Sequence, residues 1–379
     1  MKSFSGTGIG TTAEAIRQAT VGLIDPKTII VFASLETIEE ASELLMKEYP
    51  NSDVLGIMGS TYNNGQVVDS SNFSGNENRN VVQVMALFDD AEVACGVLDG
   101  LDEIPLRKIK KFNDDIESVH PNPDNTICIA FTTDNEEKFV STVKTVLKKK
   151  KIELVGGSVS GMSGKDGEPF VLVNGKKYYH ASAYIIIKNK VGGVKKYRND
   201  TYVKDSDNLM QITKVGTEEN TRKIIEADGK RIDKLYMDRY GLTKEEVQNG
   251  SFNITVGTPL AVVIGENTYV SSIAKFDQDG SANTYRKIRE GGFLTFMKMG
   301  DYNKLETDLL QKIKKDMGKI SFIFTVDCLY RFLVYSGNGY LNTYLKGMAS
   351  LGNHVGYISV GEQDSDQHFN QTMVCVAFE

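Results

Sequence analysis

The sequence predicts an α/β protein with mixed sheets, made of pseudo-repeated strand–helix–strand–strand units in two intertwined regions. Two observations predict it. An apolar run that reads as buried strand is followed by an amphipathic stretch and then by a second strand bearing glycines, and this succession occurs three times. Between the second and third copies lies a segment of different pattern, so the repeat is interrupted and resumed.

The first copy starts at Thr28-Ile29-Ile30-Val31-Phe32-Ala33 and turns at Val54-Leu55-Gly56-Ile57-Met58-Gly59-Ser60-Thr61. The second starts at Thr126-Ile127-Cys128-Ile129-Ala130-Phe131 and turns at Leu154-Val155-Gly156-Gly157-Ser158-Val159-Ser160-Gly161. The third, looser copy runs from Ser321-Phe322-Ile323-Phe324-Thr325-Val326 to His354-Val355-Gly356-Tyr357-Ile358-Ser359-Val360-Gly361-Glu362. Each interval has room for a helix of about three turns. Ile38, Ala41, Leu45 and Tyr49 mark it in copy one, Phe139, Val143, Val146 and Leu147 in copy two. Leu341, Leu345, Met348 and Leu351 mark it in copy three, with Gly352 as a left-handed stop. These stripes face a core.

Around the copies the elements follow in order. Ser5-Gly6-Thr7-Gly8-Ile9-Gly10 reads as a flexible start before a short helix from about Thr12 to Val21; no strand precedes its glycines as a dinucleotide fingerprint requires. Val81 to Phe88 and Ala91 to Val97 read as a hairpin turning at Asp89-Asp90. Pro169 to Asn174 and Ala181 to Lys188 read as another, turning near Asn174-Gly175. Asn113 to Asn125, with Pro121 and Pro123, reads as a linker, and polar Asn199 to Asn208 as a second boundary. The intervening segment offers strands at Met210 to Val215, Leu260 to Ile264, Thr268 to Phe276 and Phe293 to Met299. Helices are expected at Lys230 to Tyr240, stopped by Gly241, and at Tyr302 to Met317. The chain thus divides at 10–198, holding related units at about 28–97 and 126–188, and 199–379.

Composition narrows the function. With 379 residues, 40% apolar and 25% charged, the chain has the balance of a folded protein of two or three domains. A net charge of −6 argues against a nucleic-acid surface, which needs basic patches. The Lys148-Lys149-Lys150-Lys151 run ends a predicted helix, where cations suit the negative terminus. The four cysteines are scattered, and Cys95, Cys128 and Cys375 sit in apolar runs, as reduced buried thiols do. No apolar run reaches the length of a membrane span, and Met1 to Gly10 lack a signal-peptide pattern, so a cytoplasmic protein is expected.

The chemistry-bearing groups are few. Gly156 through Lys165 could form a backbone anion nest, but Val159 and Asp166 break the phosphate-loop pattern. Cys328 precedes Arg331 by three residues, and a neighbouring guanidinium activates a thiol. Glu362, Asp364, Asp366 and His368 alternate, with His354 upstream, which suits a divalent metal only if the segment is not a solvated loop. His120, His180, His354 and His368 have no motif spacing, and no serine elbow, paired-histidine zinc motif or Cys-x-x-Cys is present. No enzyme and no resident metal are expected.

At these residues the sequence resembles the FIST proteins, a prokaryotic sensory family, in both the N-terminal and C-terminal FIST regions. The likeness lies in Ile30-Val31-Phe32-Ala33-Ser34, Gly56-Ile57-Met58-Gly59-Ser60-Thr61-Tyr62 and Gly156-Gly157-Ser158-Val159-Ser160. It continues in Asp327-Cys328-Leu329-Tyr330-Arg331, Gly356 to Gly361-Glu362, and Asn370-Gln371-Thr372. Where the family has a small Ser before the cysteine, this chain has Asp327, and Ile57-Met58 depart from the usual cysteine-containing turn.

The resemblance implies a sensor of a small polar ligand, amino acids being one class. It implies a signalling partner of the histidine-kinase or chemotaxis kind, and haem as an alternative cofactor. As the chain leaves no length for an output domain, a stand-alone sensor is expected. A ligand site is expected at Gly56, Ser60, Gly157, Ser158, Ser160, Cys328, Arg331, Glu362 and Asn370. In it the glycines would admit a ligand to backbone N–H groups, Ser158 and Ser160 would add hydrogen bonds, and Arg331 would clamp a carboxylate in a cleft shared with Cys328.

Overall fold

Apolar runs buried on both faces demand a layer on each side, and the repeated helices supply one of them. The computed structural model describes residues 1–69, 80–101, 105–159, 168–217, 221–365 and 367–379, with the backbone alone at 105–107. The chain opens with β1 (Ser3–Gly10), α1 (Thr12–Ala19), β2 (Thr28–Ala33), α2 (Ile38–Glu48) and β3 (Asp53–Met58). β4 (Thr61–Asn63), β5 (Gln66–Val68), β6 (Asn80–Leu87) and β7 (Ala91–Asp99) complete the first copy. Then come α3 (Pro105–Ser118), β8 (Thr126–Thr132), α4 (Glu136–Lys150), β9 (Glu153–Ser158), β10 (Phe170–Val173), β11 (Lys176–Tyr179), β12 (Ala181–Asn189) and β13 (Val194–Asp200).

The different middle segment holds β14 (Tyr202–Lys204), β15 (Met210–Val215), β16 (Lys223–Ala227), β17 (Lys230–Arg231), α5 (Ile232–Tyr240), α6 (Lys244–Asn249) and α7 (Ser251–Gly257). It continues with β18 (Leu260–Ile264), β19 (Asn267–Ser271), β20 (Ile273–Phe276), β21 (Ala282–Thr284) and β22 (Phe293–Met299). The third copy follows as α8 (Tyr302–Asp316), β23 (Phe322–Cys328), α9 (Leu329–Gly337), α10 (Leu341–Ala349), β24 (Asn353–Ser359), β25 (Glu362–Asp364), β26 (Gln367–Phe369) and β27 (Thr372–Phe378).

Two compact units result. The first joins residues 1–198, 306–366 and 373–379, so the strand–helix–strand cores of all three copies belong to it. Each copy forms the same three-strand core: β6-β2-β3, β12-β8-β9 and β27-β23-β24. In each, the middle strand runs parallel to the glycine strand and antiparallel to the returning strand. A cyclic exchange links them. After its glycine strand, copy one sends β4 to pair with β24, copy two sends β10 to β3, and copy three sends β25 to β9. The rings of Phe32, Phe131, Phe324 and Tyr357, one or two from each copy, meet at centroid separations of 5.3 to 6.1 Å.

That exchange explains the repeated glycine. The incoming strand sets Leu172 opposite Gly56, Gln363 opposite Gly156 and Tyr62 opposite Gly356. A Cβ would come within 2.9 Å of Leu172 at Gly56, 2.8 Å of Gln363 Oε1 at Gly156 and 2.5 Å of the Tyr62 ring at Gly356. These glycines make room for a neighbouring side chain, and the expected opening to a ligand is not what they provide.

Several local expectations change. The glycine-bearing start is strand β1, paired along its length with β6, and a Thr11–Glu14 capping box starts α1 behind it. β6 and β7 do not pair: β6 lies between β1 and β2, while β7 lies beside β12 in another sheet. Asn174-Gly175 does turn a hairpin, with φ of 48° and 75°, but the partner of β10 is β11 and not β12. The expected linker from Asn113 is helical to Ser118, as the end of α3. Copy three carries two helices, α9 and α10, where one was expected, and its last helix ends at Ser350 in right-handed geometry without using Gly352.

The second unit joins residues 199–305 and 367–372. Its sheet runs β19-β18-β22-β15-β16-β21-β20, with β14 on β22 and β17 on β16. Ile212, Ile224, Ile232, Tyr236, Leu260, Ile273 and Leu294 fill its core, and Gly241 ends α5 at φ 66° as the sequence suggests. Among the described residues no helix is long and apolar enough to cross a membrane.

Candidate functional site

Parallel strand pairs leave their carboxyl ends beside helix starts, where polar groups find backbone partners. In the first unit, three such ends adjoin. The N–H of Ile358 donates to the carbonyl of Ser60, the N–H of Ser158 to Gly361, and the N–H of Val360 to Ser158. The end of β24 is therefore bracketed by the ends of β3 and β9.

The side chains there are polar and buried. Ser158 donates to Glu136 Oε1 at 2.8 Å from the first turn of α4, and Ser359 to Glu362 Oε1 at 2.7 Å. Ser182 donates to Thr132 at 3.0 Å, and Ser60 to Asp69 at 3.2 Å. Glu136 is 8% exposed, Ser60 2%, Ser158 1%, and Ser359 and Glu362 not at all. Gly157 belongs here too, since its missing Cβ lets Ser359 approach within 2.7 Å of that position.

The expected site residues divide accordingly. Ser60, Gly157, Ser158 and Glu362 come together around the end of β24. Gly56 lies in the interior of β3, covered by Leu172. Ser160 lies outside the described residues, with most of the expected anion nest. Asn370 belongs to the second unit, where its N–H donates to Val270 and its Oδ1 accepts from the N–H of Ser272.

Cys328 and Arg331 do not face a cleft. Both are 1% exposed, in a closed core. Arg331 stands in the first turn of α9, and its guanidinium pairs with Asp327 through Nη1 and Glu306 of α8 through Nη2. The rings of Tyr335 and Tyr344 cover it at 4.5 Å each, and Tyr335 also donates to Glu306 at 2.7 Å. Protein carboxylates thus hold the positions a ligand carboxylate was expected to take. Burial raises the Asp327 carboxyl pKa against the opposing pull of Arg331, while Asp327 and Glu306 outweigh burial and keep Arg331 charged.

The described carboxylates of the acidic alternation and the upstream His354 take separate partners. Glu362 bonds Ser359, Asp364 pairs with Lys196, His354 shares a 3.0 Å hydrogen bond with Thr325, and Asp366 lies outside the described residues. Burial pushes His354 down to about 3, so it is neutral near pH 7. Burial also raises the thiols of Cys95, Cys128 and Cys375.

Residues 27–230 match the FIST N domain and residues 234–364 the FIST C domain. The chain belongs to the FIST family. FIST domains are sensory and signal-transduction domains. No curated protein matches the sequence. Within this FIST chain, sequence reasoning missed Glu136, Thr132, Ser182 and Ser359. Glu136 looked like an ordinary acidic residue in a helical first turn, and the serines and threonines like strand ends. Thr132, Glu136 and Ser359 follow an apolar run, which was their one signal, while Ser182 precedes one.

Proposed function

We propose that this FIST protein binds a small polar ligand where the ends of β3, β9 and β24 meet, and passes its presence to a signalling partner of the kinase or chemotaxis kind. One observation carries the reading: Ser60, Ser158, Ser359, Glu136 and Glu362 are gathered and buried at the carboxyl ends of three parallel strand pairs. Ligands of open α/β sheets sit beyond such ends. Taking hydroxyls and carboxylates out of water opposes folding unless hydrogen bonds replace hydration, so a buried polar group of this size favours a binding role. The ligand is bound without turnover. Ser158 and Ser359 donate to carboxylates, which are weak bases for ionising an alcohol near pH 7, and burial holds three thiols in the protonated form.

Native mass spectrometry of the protein purified from its own host tests the reading. A bound small molecule is expected, and Ser158→Ala or Glu362→Gln should weaken it about tenfold, as loss of one buried hydrogen bond does. A preparation free of any bound molecule, with no calorimetric response to amino acids or other small polar compounds, would overturn it.

A further inference from the structure

Gln363 is the one amide in a threefold set whose Tyr62 member also buries an unpaired hydroxyl. Each incoming strand covers the first glycine of another copy with a large side chain: Leu172 over Gly56, Tyr62 over Gly356 and Gln363 over Gly156. Leu172 demonstrates that an apolar side chain meets the structural need, at 2% exposure. Gln363 meets it with an amide that is fully buried and whose Oε1 and Nε2 both lack a hydrogen-bond partner. Exchanging the two amide atoms changes nothing, because neither is paired. An unpaired buried amide destabilises the fold it sits in, so the fold alone does not account for it.

The amide lies on the face of its sheet that α4 covers, which is apolar at Leu154, Cys128, Tyr184 and Ile186 and turns polar only at the strand end. Directly opposed residues in neighbouring strands point to the same face, as do residues two apart along a strand. Gln363 therefore shares a face with Gly156 and Ser158 of β9, and with Ala130 and Thr132 of β8, which are their register partners. On that face Ser158 reaches Glu136 of α4 and Thr132 meets Ser182. The unpaired amide thus shares its face with Ser158 and its partner Glu136, while Glu362 of the proposed site lies on the opposite face.

We infer that Gln363 reads the ligand, and that the ligand presents a carboxamide, lactam or imide edge; the inference rests on the proposed binding site. An amide offers one donor and one acceptor side by side. A ligand carboxylate would leave Gln363 Oε1 without a donor and stand near Glu136. An ammonium would leave Nε2 without an acceptor. A planar edge carrying an N–H next to a carbonyl satisfies both atoms and adds no charge.

The test uses the full-length protein, saturation-transfer NMR and four probes: acetamide, 2-pyrrolidinone, acetate and methylammonium. Gln363→Leu copies the side chain of Leu172, and Gln363→Met is a second, more pliable replacement. The two amides are expected to bind wild-type protein and to weaken about tenfold or vanish in both variants. The melting temperature of the ligand-free variants should stay level or rise, because the unpaired amide is gone. Amide binding that survives in both variants would overturn the inference. So would melting temperatures that fall by several degrees in both, since that would show an amide held by buried water as part of the core. Binding of acetate or methylammonium alone, sensitive to Ser158→Ala but not to Gln363→Leu, would overturn the amide edge and leave the site standing. No binding by any probe, in a protein that also carries no molecule from its host, would overturn both.

Discussion

Replacing Arg331 with Met should unfold the first unit far more readily than an ordinary core substitution. Among the described residues the guanidinium is the only cation in its immediate group, and it faces two carboxylates, Asp327 and Glu306, from a strand and a separate helix. Met keeps the apolar length of the side chain but leaves both carboxylates buried without a counter-charge. Breaking a buried pair in this way costs about 3–5 kcal/mol, and loss of the contact with the Tyr335 and Tyr344 rings adds roughly 1 kcal/mol. Asp327→Asn should be much milder. It removes one of the two negative charges facing the guanidinium and leaves a one-to-one pair of Arg331 with Glu306. Combining Arg331→Met with Asp327→Asn and Glu306→Gln should recover much of the loss, since no charge is then stranded. The chain has no tryptophan and 17 tyrosines, so urea unfolding followed by tyrosine fluorescence is the natural assay. If Arg331→Met costs under about 1 kcal/mol while ligand binding disappears, the guanidinium serves a ligand and the reasoning fails. Equal losses for Arg331→Met and Asp327→Asn would refute the charge argument as well.

His354 should make the first unit acid-sensitive at unusually mild pH. In the unfolded chain it takes up a proton near pH 6.5, whereas in the folded protein burial holds it unprotonated down to about 3. The unfolded state therefore binds more protons below pH 6.5, and stability falls with pH by roughly 1.5–2 kcal/mol between 6.5 and 5. Urea midpoints across that interval should drop in wild type and flatten in His354→Gln; parallel slopes would assign the effect to other groups. Gly356→Ala should cost about 1–3 kcal/mol, because its methyl group would lie 2.5 Å from both the Tyr62 ring and Thr325 Oγ1. Adding Tyr62→Ala should cancel part of that cost in a double-mutant cycle, whereas strict additivity would show that the incoming strand does not explain the glycine.

The repeat was legible in the sequence because its signals are local. Two apolar runs and a glycine recur within each copy, and the strand bounds of β2 follow from them. The exchange between copies was not. Thr61-Tyr62-Asn63 pairs with Val355 to Tyr357, about three quarters of the chain length away, and nothing in the tripeptide marks that partner. The same distance effect hid the partner of β10: Asn174-Gly175 announces a turn, while the strand on its other side is set by β3 in a different copy. α9 was missed because β23 runs into it without a break, Cys328 making no side-chain cap. Once α9 exists, Asp327 and Arg331 stand four residues apart and meet, as such pairs do at a helix start. Glu306 comes from another helix. Half of the buried ion cluster was thus within reach of sequence reasoning, and with it the reason that Arg331 is occupied.

The pseudo-symmetry also separates what the architecture requires from what it merely tolerates. The register that sets Leu172, Tyr62 and Gln363 opposite the first glycines makes Val171, Thr61 and Glu362 the preceding equivalent positions. In the sheet of copy one the pair is Val171-Leu172, wholly apolar and buried, which is what a strand entering a covered sheet ordinarily carries. In the sheet of copy two the same two positions are Glu362-Gln363, also fully buried. Both sheets are built from the same strand order and receive the same kind of strand, so the polar pair is not demanded by the fold. Glu362 is balanced by Ser359, and Gln363 is not balanced by any hydrogen bond. The proposed binding site therefore leans on the sheet of β8, β9 and β25, where a buried polar pair stands in place of the apolar pair of copy one.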